Sequence, residues 1–210
     1  MTYNNIISQV KDKALYLMNQ YSDPISKVIR NSISKTYSLP EFESASILSD
    51  AIESNSNVIV LASWFSLTLL EVLNNSNKIK TITLLDHDKT VITVGQEISK
   101  LYTNLDITYK RKNVIFDDIS EYVNHSNVVI TPSINMLLPF NEFLPNLPKG
   151  TFISVTGTSN MVMKYGNPIY NIDDLKSQIN YSNLLFSKQY DSTWGDGAFK
   201  FVTSTIVAKI

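Results

Sequence analysis

The chain has 210 residues, 43% of them hydrophobic, with 18 Lys and Arg against 19 Asp and Glu and a net charge of −1. That length can bury a full core, and the balanced charge offers no basic field for nonspecific nucleic-acid binding. Cysteine is absent, which excludes disulfides, thiolate zinc sites and a cysteine nucleophile; with only His87 and His125, no histidine-rich metal site is expected either. No apolar run reaches the roughly 18 residues of a membrane span. Met1 to Gln20 is amphipathic and charged rather than signal-like, so the expectation is a cytoplasmic protein. The abundance of Asn, Ile, Lys and Ser fits an AT-rich genome, such as that of a phage or a low-GC bacterium.

Residues 3 to 54 read as helical. Ile6, Ile7, Val10, Ala14, Leu17 and Met18 recur at three- and four-residue steps. Asp23-Pro24 breaks that helix, and Ile25, Val28, Ile29 and Ile33 form a second stripe. Ser38-Leu39-Pro40-Glu41 has the spacing of a capping box, from which a third helix is expected to run to about Ser54. These helices either cover one face of a sheet or serve as a lid or partner surface.

From Asn57 onward one plan repeats: an apolar strand, a polar turn, a helix, another strand. Strands are expected at Val58 to Ala62, Thr81 to Leu85, Ile107 to Lys110, Val128 to Ile130 and Phe152 to Val155. Helices are expected at Leu67 to Leu73, Val91 to Tyr102 and Asp173 to Ile179, the last capped by Asn171 or Asp173, with a short turn or helix at Asp118 to Tyr122 and a short helical or irregular crossing at Met136 to Phe143. Leu184 to Gln189 and Phe199 to Ile210 alternate and should close as an antiparallel pair around the loop Asp191 to Gly197. Strands alternating with helices of this length imply a parallel sheet, and such sheets bind ligands at the carboxyl ends of their strands.

The strand ends therefore come next. Asp86, in Leu84-Leu85-Asp86-His87-Asp88, can accept two hydroxyl hydrogen bonds at once, while Asp88 is the better placed of the two to cap the following helix. Asn113 and the pair Asp117-Asp118 follow the third strand. Thr131-Pro132-Ser133-Ile134-Asn135 follows the fourth. Thr156-Gly157-Thr158-Ser159-Asn160 follows the fifth. Walker, G-x-S-x-G, H-E-x-x-H and EF-hand motifs are absent.

Five strands, a pause and a closing hairpin resemble the class I S-adenosylmethionine-dependent methyltransferases, over roughly residues 45 to 210. The turn Ser63-Trp64-Phe65-Ser66, with Leu147-Pro148-Lys149-Gly150-Thr151 further on, is similar to small phage-associated members of that group. The resemblance implies a three-layer, Rossmann-like α/β sandwich. Its seven-stranded sheet is mostly parallel with an antiparallel C-terminal hairpin. Residues 1–54 form an N-terminal helical extension and residues 55–210 the cofactor-binding domain. It implies S-adenosylmethionine as cofactor, with Asp86 and His87 at the ribose and Asn113 or Asp117 by the adenine. Ala62, Ser63, Trp64 and Phe65 would wrap the methionine end, and Thr131, Ser133 and Asn135 would face the transferred methyl group. A small-molecule acceptor is implied, nucleic acid being disfavoured because no N/D-P-P-Y/F motif follows the fourth strand. Self-association through the N-terminal helices is a further expectation. A near neighbour is transfer of the aminocarboxypropyl group of the same cofactor.

One departure stands out. The cofactor turn of that family is glycine-rich, because backbone must approach the ligand without a Cβ between. Here the turn Ala62 to Ser66 contains no glycine. Either Ala62 and Ser63 are small enough and an aromatic packs on the ligand, or the pocket is filled and the domain is a noncatalytic interaction protein.

Overall fold

Apolar residues spaced four, four and three apart draw the first segment into a helix. The computed structural model describes residues 2–134, 147–159, 167, 169–194 and 199–210. In it, α1 (Tyr3–Met18) buries Ile6, Val10, Ala14 and Leu17 as one stripe, and Thr2 caps it by accepting from the Asn5 amide. Pro24 stands in the first turn of α2 (Asp23–Ser32), where a missing N–H costs nothing.

The third helix corrects the sequence reading. α3 spans Lys35–Ala51, with Ser34 at its N-cap and Pro40 inside it. Ser38 is buried and its hydroxyl pairs with the Tyr3 hydroxyl at 2.8 Å, across the α1 contact, rather than capping a helix. Glu41 likewise accepts from the Leu69 amide of the fourth helix. The expected capping box is undone because both of its members found tertiary partners.

The sheet then assembles in chain order as β1 (Ser56–Leu61), α4 (Leu67–Asn74), β2 (Ile79–Asp86), α5 (Lys89–Lys100), β3 (Asp106–Arg111), α6 (Ser120–Asn124) and β4 (Val128–Thr131). After it come β5 (Phe152–Thr158), α7 (Ile172–Ser177), β6 (Asn183–Trp194) and β7 (Phe199–Lys209). The crossing expected at Met136 to Phe143 lies outside the described residues. The seven strands stand in the order β3-β2-β1-β4-β5-β7-β6. The first five are mutually parallel, and β7 runs antiparallel between β5 and β6. β1 and β4 are covered on both faces, which explains why they read as unbroken apolar runs rather than as alternating ones.

Two strands outrun their sequence signals. β5 continues through Thr156-Gly157-Thr158, which the sequence suggested as a loop, because β7 pairs with it as far as Thr158↔Thr203. β6 continues through Asp191 to Trp194, also expected as loop, with Ser192 and Thr203 joined across the strands at 2.9 Å. Polar residues in an antiparallel ribbon are satisfied by the partner strand, and apolar alternation does not reveal that.

The sheet has a helical layer on each side. One face carries Val58, Val60, Ile82, Leu84, Val128 and Ile130, packed against α1, α3, α4 and α5. The opposite face carries Ile59, Leu61, Leu85, Val129, Ile153 and Val155, packed against Val123 of α6 and Leu175 of α7. The N-terminal helices thus cover one face of the sheet. Lys13 of α1 meets the buried Glu71 of α4 and lies 4.7 Å from the centre of the Tyr102 ring. Among the described residues no helix is long and apolar enough to cross a membrane.

Gly95 in α5 lets Tyr109 of β3 lie flat against the helix: a Cβ there would fall 2.3 Å from the ring. Overpacking of this kind costs about 1–3 kcal/mol. Gly95→Ala should lose that much stability in urea titration, and Gln96→Ala, one residue along on the exposed side of the helix, should lose far less.

Candidate functional site

Strand order reverses between β1 and β4, and the cleft outside their carboxyl ends is where ligands bind on such sheets. The turn after β1 borders that cleft, and its backbone is unusual. Ala62, Trp64 and Ser66 all have positive φ, at 50°, 46° and 46°. Each such residue with a Cβ costs about 1–2 kcal/mol, so the turn must be held by its surroundings. The Ser63 amide donates to the Leu85 carbonyl of β2 at 3.1 Å. The Ser66 hydroxyl donates to the Ser63 carbonyl at 2.6 Å, and the Trp64 amide donates to Asp86 Oδ2 at 2.9 Å. From below, the Tyr109 hydroxyl donates to the Phe65 carbonyl at 3.1 Å.

Asp86 ends β2 and is 8% exposed. Its Oδ1 accepts the Asp88 amide at 3.0 Å. A carboxylate has about four acceptor positions, and backbone amides take two of those on Asp86. Asp88, as the sequence suggested, caps α5 by accepting from the Thr90 amide at 2.6 Å. His87 is exposed, its Nδ1 3.7 Å from Asp86 Oδ1, and its carbonyl accepts from Arg111 Nε at 3.2 Å.

The remaining candidates divide. Phe65 is fully buried in the core and presents no surface to a ligand. Ala62, Trp64 and Ser133 are half-buried, and Ser63 is buried. Asn113 and Asp117 lock one tight turn: Asp117 accepts the Asn113 amide at 2.8 Å, and Asn113 Oδ1 accepts the Ile115 amide at 3.1 Å. Thr131 is fully buried at the end of β4, and its hydroxyl has no hydrogen-bond partner among the described residues. Asn135 lies outside the described residues.

Three site residues were missed in the sequence because they come from other elements. Tyr37 of α3 meets the Trp64 indole edge-on, centroids 5.5 Å apart. Glu41, one turn further along α3, accepts from the Leu69 amide at the start of α4. Burial pushes its carboxyl up to about 8. Burial also raises the Tyr109 phenol far above its usual range, with Glu41 and Asp86 adding to the effect. Only a periodic stripe was visible in α3, and periodicity marks a buried face without naming what it touches.

A separate polar cavity of about 220 Å³ lies at the amino ends of β1 and β2, lined by Asn57, Thr81, Thr83, Glu121, Tyr122 and His125 among others. Its lining groups pair with one another, Thr81 Oγ1 donating to Asn57 Oδ1 at 2.9 Å. It is remote from the strands' carboxyl ends, and the cleft beside Asp86 is the stronger candidate.

Solved structures share this architecture. Coclaurine N-methyltransferase bound to N-methylheliamine and SAH matches with a TM-score of 0.66 at 9% identity, over 100% of this chain and 88% of that one. The plantazolicin methyltransferase BpumL in complex with SAH matches at 0.53 and 10% identity over 99% of both chains. TYW2 of P. horikoshii in complex with MeSAdo matches at 0.53 and 11% identity over 84% of this chain, which spans 64% of that one. The chain has the Rossmann-like methyltransferase fold. No family model and no curated protein matches it.

An adenosyl cofactor fits part of this cleft well. Asp86 has spare acceptor capacity at the strand tip, and the buried Thr131 hydroxyl has no partner among the described residues. The turn fits less openly, since three Cβ atoms stand at its left-handed positions.

Glu41 gives a pH test. Its folded pKa, about 8, lies above the ordinary 4.5. Between those values the folded chain keeps a proton that the unfolded chain has lost, so this group's contribution falls as pH rises through that window. Thermal melts from pH 5 to 8.5 should show the midpoint falling, and Glu41→Gln should flatten that slope.

Proposed function

We propose that this protein binds S-adenosylmethionine and transfers its methyl group to a small-molecule acceptor. The observation that carries the reading is the Asp86 carboxylate, half satisfied by backbone amides, at the strand tip beside the switch point. The fold of the SAH- and MeSAdo-bound neighbours supports it. The sulfonium of the cofactor supplies an already activated methyl group, so the protein's task is alignment.

In this reading Asp86 accepts the ribose hydroxyls with its two free positions, and His87 borders them. Asn113 or Asp117 lies by the adenine. Ala62, Ser63 and Trp64 line the methionine end, while Phe65 supports the turn from within the core. Thr131, Ser133 and Asn135 orient the acceptor. The near-neutral net charge favours a small molecule over nucleic acid as that acceptor.

A second reading has its own observation. Side chains at all three left-handed turn positions favour a noncatalytic domain that keeps the fold and presents its N-terminal helices to a partner.

Calorimetric titration separates the two. Micromolar binding of S-adenosylmethionine and SAH, about −8 kcal/mol, is expected, with NAD giving no heat. Asp86→Ala should weaken binding at least tenfold, about 1.4 kcal/mol, with a melting curve to confirm folding. No heat from either adenosyl ligand would favour the noncatalytic reading.

A further inference from the structure

The Asp86 carboxylate is held at both oxygens. Oδ2 takes the Trp64 amide at 2.9 Å and Oδ1 the Asp88 amide at 3.0 Å. The Asp88 N–H shares one planar trans peptide with the His87 carbonyl, so the two groups can only turn together. That carbonyl accepts from Arg111 Nε at 3.2 Å. A guanidinium therefore grips one side of the peptide whose other side grips Asp86. The β2–β3 ladder shows why a side chain is needed there. Its last register pair is Asp86↔Arg111, and the Lys112 amide donates to the Asp86 carbonyl at 2.8 Å. Past that point no backbone amide among the described residues donates to the His87 carbonyl, and Arg111 takes it instead. A hydrogen bond from an ionised donor is stronger than one between neutral groups, and bonds in series through a peptide polarise one another. Among the described residues the Arg111 guanidinium makes no ion pair and no other hydrogen bond.

We propose that Arg111 is a positioning residue for the strand-tip acid: through the His87–Asp88 peptide it fixes the rotation of the Asp86 carboxylate, and with it the recognition of a vicinal diol. Hydrogen bonds are directional, so a carboxylate accepts two neighbouring hydroxyls well only when its plane faces them. A carboxylate free to turn loses that selectivity first. Arg111 acts through the peptide and needs no contact with the ligand. The inference rests on the adenosyl reading above and deepens it, since it names what keeps the ribose acceptor in register.

The test titrates SAH, adenosine and 2′,3′-dideoxyadenosine, which lacks both hydroxyls, into the full chain, Arg111→Ala and Lys110→Ala, with melting curves for all three. Lys110 is exposed on the opposite face of β3, so its loss removes an equal charge without touching the bond. The unmodified chain and Lys110→Ala should prefer adenosine to the dideoxynucleoside about tenfold, the scale of a hydrogen bond to a charged group. In Arg111→Ala that preference should fall to about threefold or less, through weaker adenosine binding, with dideoxyadenosine affinity and the melting midpoint little changed. Arg111→Met, which keeps the aliphatic stem but has no donor, should repeat the result and takes over if the alanine variant fails to fold. A preference retained in the Arg111 variants, an equal loss for both nucleosides, or the same fall in Lys110→Ala overturns this inference and leaves the adenosyl reading standing. SAH binding with no preference between the nucleosides in the unmodified chain does the same. No binding of SAH or either nucleoside by the unmodified chain overturns both.

Discussion

The Asp86 carboxylate holds two segments of chain at one point. It takes the Trp64 amide from the turn after β1 and the Asp88 amide from the start of α5. Without those bonds, three residues in a conformation that suits glycine would have little reason to stay there. The turn in turn fixes where α4 begins, because Ser66, its N-cap residue, is the last of the three. One buried anion therefore sets the edge of the cleft, the entry of two helices and the position of an aromatic side chain.

A second set of contacts bears on the same turn from the helical side. Tyr37 meets the indole, Glu41 takes the Leu69 amide, and Tyr109 supports the Phe65 carbonyl while lying on Gly95. Lys13 and Glu71 tie α1 to α4 behind it. The N-terminal helices thus reach the turn directly as well as covering a face of the sheet. Glu41 is held near neutrality by burial, so its proton and the docking of α3 on α4 are linked.

Much of the architecture was legible in the residues. Unbroken apolar runs at Val58 to Leu61 and Val128 to Ile130 announced strands buried on both faces, and the alternation with helices announced a parallel sheet. Asp86 stood out as a carboxylate at a strand end, and Asp88 as a cap. The start of α3 was misread because Ser38-Leu39-Pro40-Glu41 carries the local spacing of a capping box, whereas in the fold the Ser38 hydroxyl pairs with Tyr3 and Ser34 stands at the N-cap. The lengths of β5 and β6 were underestimated because Thr156 and Ser192 pair with Thr205 and Thr203 of β7, far along the chain.

The absence of glycine between Ala62 and Ser66 was plain from the sequence, and so was the question it raised. Local chemistry fixes strand runs, caps and the residue types at each strand end, because those depend on neighbours a few positions away. Only the tertiary structure decided that the turn keeps a left-handed backbone without glycine. Hydrogen bonds from β2 and β3, and ring packing from α3, offset a strain that the isolated segment would relax. The two aromatics of the turn were alike as sequence and became different in the fold: Phe65 is closed in the core, while Trp64 stays half-buried at its edge with Tyr37 against it.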